Sequence, residues 1–250
     1  MDPLLPTYRI FPLGDNGLTV DFGNYINEEN NRLVIGWFDR LRESPLPGMT
    51  EIVPAYSSFT VYYDIITAKK KALAGQTGFD LIKSLLEQRL AQPFQQETAV
   101  ERLVRIPVCY EDEFAPDLSY LAAEKKLSAE EVVRIHTQQK YKVYMLGFLP
   151  GFSYMGEVDE KIAMPRKPQP QAVEAGGVGI AGRQTGIYPL QSPGGWQIIG
   201  RTPLKLFDPH SEEPCLLRAG DRVEFYSISK KDFFEIQSPA SLQEGDQRSL

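Results

Sequence analysis

The chain has 250 residues, 42% of them hydrophobic and 24% charged, and a net charge of −6. That length admits one large or two modest domains, and that composition suits a soluble globular protein with a real core. The acidic balance argues against a general nucleic-acid binder, no stretch approaches the roughly eighteen apolar residues that span a bilayer, and the N-terminal MDPLLPTYRIF lacks the order of a secretory signal.

In chain order, residues 7–11 and 17–22 flank the turn cluster Leu13-Gly14-Asp15-Asn16 and read as a β-hairpin. Asn27 caps a helix with Glu28 and Glu29 in its first turn and Leu33, Val34, Trp37, Phe38 and Leu41 on its buried face. Ser44-Pro45-Leu46-Pro47-Gly48 stops it. A second hairpin joins 50–56 to 59–64 through Ser57-Ser58. A second helix over about 79–91 turns Phe79, Ile82, Leu85, Leu86 and Leu90 inward. Hairpin, helix, hairpin, helix over 1–95 predicts an α+β domain with helices on one face of an antiparallel sheet. The polar segment 92–100 is the expected boundary.

Over 101–238 the pattern changes. Leu103–Cys109 reads as a strand whose Pro107 suggests an edge or a bulge. Two short helices follow, at 117–126 and from Ser128, where Ser128-Ala129-Glu130-Glu131 fits a capping box. From Val143 to about Ser227, short strands and turns predict a mostly-β, closed or nearly closed barrel. The tail 239–250 is polar and is expected to fray. Cys109 and Cys215 lie far apart and outside any metal-ligand spacing. A reduced, cytoplasmic protein is the expectation, with a disulfide between them as the alternative.

The stretch from Tyr144 to Pro209 holds eleven of the chain's twenty glycines, so it cannot be a long helix. Between Lys161 and Lys205 it carries six basic residues and a single acid, Glu174. Such a surplus favours a small anion, and arginine matches a carboxylate or phosphate with a two-pronged fork. Solvated charges on loops are the plainer alternative. Aromatics next to turn glycines, among them Phe148, Phe152, Tyr188 and Trp196, either line a cleft or cap the core.

Other motifs fail on context. Gly177-Val178-Gly179-Ile180-Ala181-Gly182 matches the dinucleotide fingerprint, but Gly186 and Pro189 interrupt any following helix and position 202 is threonine, not an acid. Gly151-Phe152-Ser153-Tyr154-Met155-Gly156 has one residue too many for a nucleophile elbow, and only His136 and His210 exist to serve as a base. There is no Walker-type phosphate loop, no H-E-x-x-H and no paired-cysteine motif, so no metal site is predicted.

With these residues in view, the chain resembles the family of the 5-oxoprolinase B subunit, also called the KipI or allophanate hydrolase subunit 1 family. IPVCY, EEVVRIHT, VYMLGFLPGFSYMG, AGGVGIAGRQTGIYPLQSPGGWQIIGRTPLKLF and LRAGDRVEF carry the likeness, with GDNGLTVDFG and PAYSSFTVYYD near the N-terminus. The resemblance implies a small α+β domain followed by a cyclophilin-like barrel. It implies work with two companions, the KipA-type C subunit and the A subunit, in an assembly that uses ATP to open 5-oxo-L-proline to L-glutamate. The family also contains KipI, an inhibitor of a sporulation histidine kinase, and resembles the carboxyltransferase part of biotin-dependent urea carboxylase. On the preferred reading Arg166, Arg183 and Arg201 position anionic groups, Gln184 and Thr185 hydrogen-bond the lactam, and Phe148, Tyr188 and Trp196 wall the pocket. His136 is an acid–base candidate, although a helix residue among apolar neighbours also reads as a core histidine.

Overall fold

A computed structural model describes residues 7–23, 27–92 and 101–238. The chain divides into two compact units, Met1–Val100 and Glu101–Leu250. The segment 93–100 and the tail 239–250, read from sequence as a boundary and a frayed end, lie outside the described residues.

The first unit holds β1 (Arg9–Leu13), β2 (Gly17–Asp21), α1 (Glu28–Glu43), β3 (Met49–Pro54), β4 (Ser58–Tyr63), α2 (Ile65–Lys71) and α3 (Gly78–Leu90). Its strands form an antiparallel sheet in the order β1-β2-β4-β3. Alternation along β4 turns Phe59, Val61 and Tyr63 into the core. They meet Val34, Trp37 and Leu41 of α1 and Ile82, Leu86 and Leu90 of α3. Asn27 Oδ1 accepts from the Asn30 amide at 2.7 Å and starts α1.

Two details differ from the sequence reading. Leu33, Phe38, Phe79 and Leu85 are only half-buried, whereas Asn31 is fully buried and its side-chain amide reaches the Ala55 and Tyr56 carbonyls. The helix α2 is additional. Asp64 caps it, accepting from the Thr67 amide at 2.6 Å, and its seven residues are too few to show a period.

The second unit holds β5 (Leu103–Cys109), α4 (Leu118–Lys125), α5 (Ala129–Thr137), β6 (Lys140–Leu146), β7 (Ser153–Gly156), β8 (Gln171–Val173), β9 (Gly177–Ala181), β10 (Gln184–Ile187), β11 (Ser192–Gly194), β12 (Gln197–Arg201), β13 (Arg222–Ile228) and α6 (Lys230–Gln237). Among the described residues seven strands close into a barrel, in the order β10-β7-β6-β13-β5-β12-β9. The pairs are antiparallel except β5 with β13. β5 follows β13 along its whole length but meets β12 only through Cys109 and Arg201, so Pro107 borders the thinnest seam of the barrel.

Alternation gives the wall two faces. Met155, Val178, Ile180, Ile187, Val223 and Phe225 join the main core, while Phe152, Tyr188, Trp196 and Ile198 form a separate cluster on the other face. β8 and β11 stand apart as a two-stranded sheet. The helix α6, absent from the sequence reading, is started by a Ser229–Asp232 capping box. It buries Phe233 against Phe114, with ring centroids 4.5 Å apart, and against Cys109.

Candidate functional site

The outer cluster rests on bare backbone. A Cβ at Gly179 would stand 3.0 Å from Trp196 Cβ and 3.1 Å from Ile198 Cδ1. A Cβ at Gly186 would stand 2.7 Å from the Ser153 carbonyl oxygen and 3.0 Å from Trp196 Cζ3. Real Cβ atoms do not approach backbone oxygen as closely as 2.7 Å, so Gly186 requires glycine, while a Cβ at Gly179 would press on Trp196 and Ile198. The two glycines pair with each other across β9 and β10 and let the indole lie down on the strands.

The rings then pack edge to face. Phe152 lies 5.4 Å from Trp196 and 5.0 Å from Tyr188, at interplanar angles of 85° and 83°. Phe148 stands over this floor, 5.6 Å from Phe152 and 6.4 Å from Tyr188, yet its side is open and the residue is 62% exposed. Its φ of +69° is in the left-handed region, where a residue with a Cβ is strained by about 1–2 kcal/mol. Such strain at an exposed aromatic directs attention to function. The turn holding it is closed by the Leu149 amide on Gly147 O at 2.9 Å and the Phe152 amide on Leu149 O at 3.0 Å.

One cation faces the platform. The Arg166 guanidinium carbon lies 6.0 Å from the Trp196 ring centroid, and no carboxylate among the described residues pairs with it. Its backbone is clamped from both sides. Gln197 Nε2 donates to Pro165 O at 3.0 Å, and the Lys167 amide donates to Gly195 O at 2.7 Å. Lys167 itself is committed elsewhere, to Asp117 at 2.6 Å, and the same Asp117 oxygen accepts from the Ile198 amide. Burial raises the phenols of Tyr154 and Tyr188 above their usual range, with the Arg166 charge opposing it. Both stay protonated and able to donate at neutral pH.

The other predicted residues are placed elsewhere. Arg183 Nη2 is paired with Glu157 Oε2 at 2.6 Å. Arg201 Nε donates to Ala175 O at 2.8 Å, its other end lies 3.9 Å from Glu174, and its guanidinium sits over Phe233. Arg201 pairs with Gly177 at the start of β9, whereas Arg183 follows the end of β9, about 13 Å further along at some 3.3 Å per residue. Arg183 and Arg201 thus sit at opposite ends of β9, each near an acidic side chain, while Arg166 is the arginine found beside Trp196. Gln184 is half-buried at the Arg183 end of β10, opposite Gly156 and Ala181.

Thr185 and His136 lie inside the barrel, both 0% exposed. Thr185 Oγ1 donates to Gly179 O at 3.0 Å, so it accepts from His136 Nε2 at 3.1 Å. His136 Nδ1 then accepts from the Tyr110 hydroxyl at 2.9 Å. Burial holds the imidazole neutral, its pKa lowered to about 3. Sealed and with both nitrogens engaged, His136 is no acid–base group for a ligand outside, and the Thr185 hydroxyl cannot reach one.

The remaining motifs fall into structural roles. Gly177 and Gly179 lie within β9 and no helix follows Gly182, which removes the dinucleotide reading. Ser153 Oγ is buried without a partner, and His136 is committed to Tyr110 and Thr185, so no base serves it. Both cysteines are free thiols, their pKa values raised by burial. Among the described residues no group of His, Cys, Asp and Glu could hold a metal, and no helix is long and apolar enough to cross a membrane.

Tyr154, which the sequence reading passes over, belongs to the platform at 5.9 Å from Trp196. Its signal is the alternation Phe152-Ser153-Tyr154-Met155, with Phe152 and Tyr154 on the outer face and Met155 in the core.

Residues 8–217 match the family described as carboxyltransferase domain, subdomain C and D. The chain is 47% identical over 228 residues to the 5-oxoprolinase B subunit of Bacillus subtilis (strain 168), a match covering 90% of this chain and 95% of that protein. It is 37% identical to the 5-oxoprolinase B subunit of Escherichia coli O157:H7, over 87% of this chain and 94% of that one. Among solved structures it resembles TTHA0988, with a TM-score of 0.72 and 39% identity over 85% of this chain. It spans 40% of that longer protein.

Proposed function

The chain belongs to the carboxyltransferase-domain family, subdomain C and D, alongside proteins named as the B subunit of 5-oxoprolinase, and from that membership we propose that it is the B subunit of an ATP-dependent 5-oxoprolinase. In this reading it works with companion subunits, one of the KipA type, to convert 5-oxo-L-proline to L-glutamate. The four-stranded unit serves as a separate α+β domain, and the closed barrel is of the cyclophilin-like kind. ATP is a substrate of the assembly and is handled by a partner, since this chain carries no Walker-type loop.

The observation that carries the reading is the Arg166 guanidinium beside an aromatic platform, its neighbouring backbone held at Pro165 and Lys167 and no carboxylate among the described residues paired with it. 5-Oxoproline is a small flat ring bearing one carboxylate. Arg166 is placed to take the carboxylate with a fork of N–H donors, while the exposed Phe148, backed by the buried Trp196 and Tyr188, offers an aromatic surface to the ring. The platform's open side, under the exposed Phe148, is where another polypeptide would complete the site.

The test is reconstitution. The chain alone should release no glutamate; with its companion subunits, ATP and 5-oxoproline it should. Arg166→Ala should raise KM for 5-oxoproline by tenfold or more, the loss of a charged contact worth about 1.5–3 kcal/mol. An unchanged KM would remove Arg166 from the site. Turnover by the isolated chain would break the division of labour. Inhibition of a sporulation histidine kinase, or capture of a biotinylated carrier, would instead favour one of the other two functions.

A further inference from the structure

The sealed polar chain Tyr110–His136–Thr185–Gly179 has no part in binding as described, yet it touches the strands that bear the platform. We infer that His136 and Thr185 are positioning residues, which pin β9 against β10 from inside the barrel and thereby set the Trp196 ring on the outside. The inference rests on the platform reading for its functional meaning and on the geometry for the pin itself.

The hydrogens can be assigned along the chain. Thr185 Oγ1 spends its one hydrogen on Gly179 O, so His136 Nε2 must carry a hydrogen to meet it, and Nδ1 is left as the acceptor for Tyr110. Burial raises the Tyr110 pKa well above its usual value, so the phenol keeps the hydrogen that this arrangement requires. The ring is fixed further by stacking on Phe225, with centroids 4.6 Å apart, and the Tyr141 hydroxyl caps the His136 carbonyl at 2.9 Å. The helix α5 is thus tied through one imidazole to two strands.

The tie falls beside an irregular place in the neighbouring ladder. Pairing of β9 with β12 is irregular between Ile198 and Gly200, beside Gly179. A side-chain hydroxyl reaches the Gly179 carbonyl at this irregular place. On the opposite face the same Gly179, and Gly186 next to Thr185, are the two residues on which the indole rests. A slip of β9 along β10 would shift the bare backbone on which the indole rests and tilt the ring away from Arg166.

The experiment uses the full chain carrying Trp37→Phe, so that Trp196 is its single tryptophan. Thr185→Val keeps the shape and removes the hydroxyl; Thr185→Ser keeps the hydroxyl. Acrylamide quenching of Trp196 should rise at least twofold in Thr185→Val and stay at the parent value in Thr185→Ser. In the reconstituted assembly Thr185→Val should raise KM for 5-oxoproline about fivefold with kcat within twofold of the parent. If Thr185→Val does not fold, Tyr110→Phe removes only the outer donor and should raise quenching in the same direction. A folded Thr185→Val or Tyr110→Phe that is less stable but quenches like the parent would overturn the pin. Quenching that rises while KM does not move would keep the pin and overturn the platform as the ligand site.

Discussion

The two faces of the β9–β10 hairpin are built on opposite terms. Inside, four polar groups in series are buried and each finds a partner, so nothing in that series is left over for chemistry. Outside, rings pack nearly as tightly, but one cation and one aromatic edge remain uncommitted. Burial alone thus fails to separate structure from function here: His136 and Trp196 are both buried. What separates them is whether the neighbouring polar groups are used up.

The largest test of this contrast is Gly186→Ala. A Cβ there drives into the Ser153 carbonyl at 2.7 Å on one side and into Trp196 and Phe152 on the other. Backbone cannot yield as a long side chain can, so a loss of about 1–3 kcal/mol is expected. For a chain of this size that is a fall in Tm of about 2–4 °C per kcal/mol. Binding at the platform should suffer more than the stability loss explains, because the indole is displaced. A Gly186→Ala protein with parental Tm and parental Trp196 fluorescence would mean that the indole does not depend on the glycine bed.

A second test is the interior's response to acid. The imidazole of His136 has a usual pKa of 6.5, lowered in the fold to about 3. Between those values the unfolded chain binds a proton that the folded chain refuses, so stability falls as pH falls below 6.5. The slope from this one group approaches 1.4 kcal/mol per pH unit, since one unit of pKa shift is about 1.36 kcal/mol. Urea midpoints of the parent and of His136→Gln, compared from pH 7 to 5, cancel the shared carboxylates and His210. The parent should lose ground relative to the variant across that window. Parallel curves would show that His136 is open to protonation and so not sealed as described.

The limits of the sequence follow from the same contrast. Hairpins and capped helices are legible because their signals are local: Asn27 before two glutamates, Ser128 three residues before Glu131, Ser57-Ser58 between aromatic runs. The short helices α2 and α6 are harder, because seven or eight residues show little more than a cap. The platform is partly legible as aromatics beside turn glycines. The grouping of the arginines is not, since strand register decides which end of β9 a charge occupies. Nothing local announces that Lys167 is spent on Asp117, or that Thr185 faces inward while Gly186 faces out.

The smallest expected effect is also the sharpest on the question of which arginine matters. Arg183 and Glu157 meet at 2.6 Å, but their side chains are 57% and 40% exposed. An exposed ion pair of this kind is worth about 0–1 kcal/mol, and salt screens it. Arg183→Ala should therefore change stability by less than about 1 kcal/mol. A double-mutant cycle with Glu157→Ala should give a coupling that shrinks as salt is added. On binding, its guanidinium is already paired with Glu157, so KM should move by less than about threefold, within the worth of a surface contact. Measured side by side, Arg166→Ala and Arg183→Ala assign the anion to one of the two arginines. A tenfold rise for Arg183→Ala with none for Arg166→Ala would move the binding site to the Glu157 turn and leave the aromatic platform as packing alone.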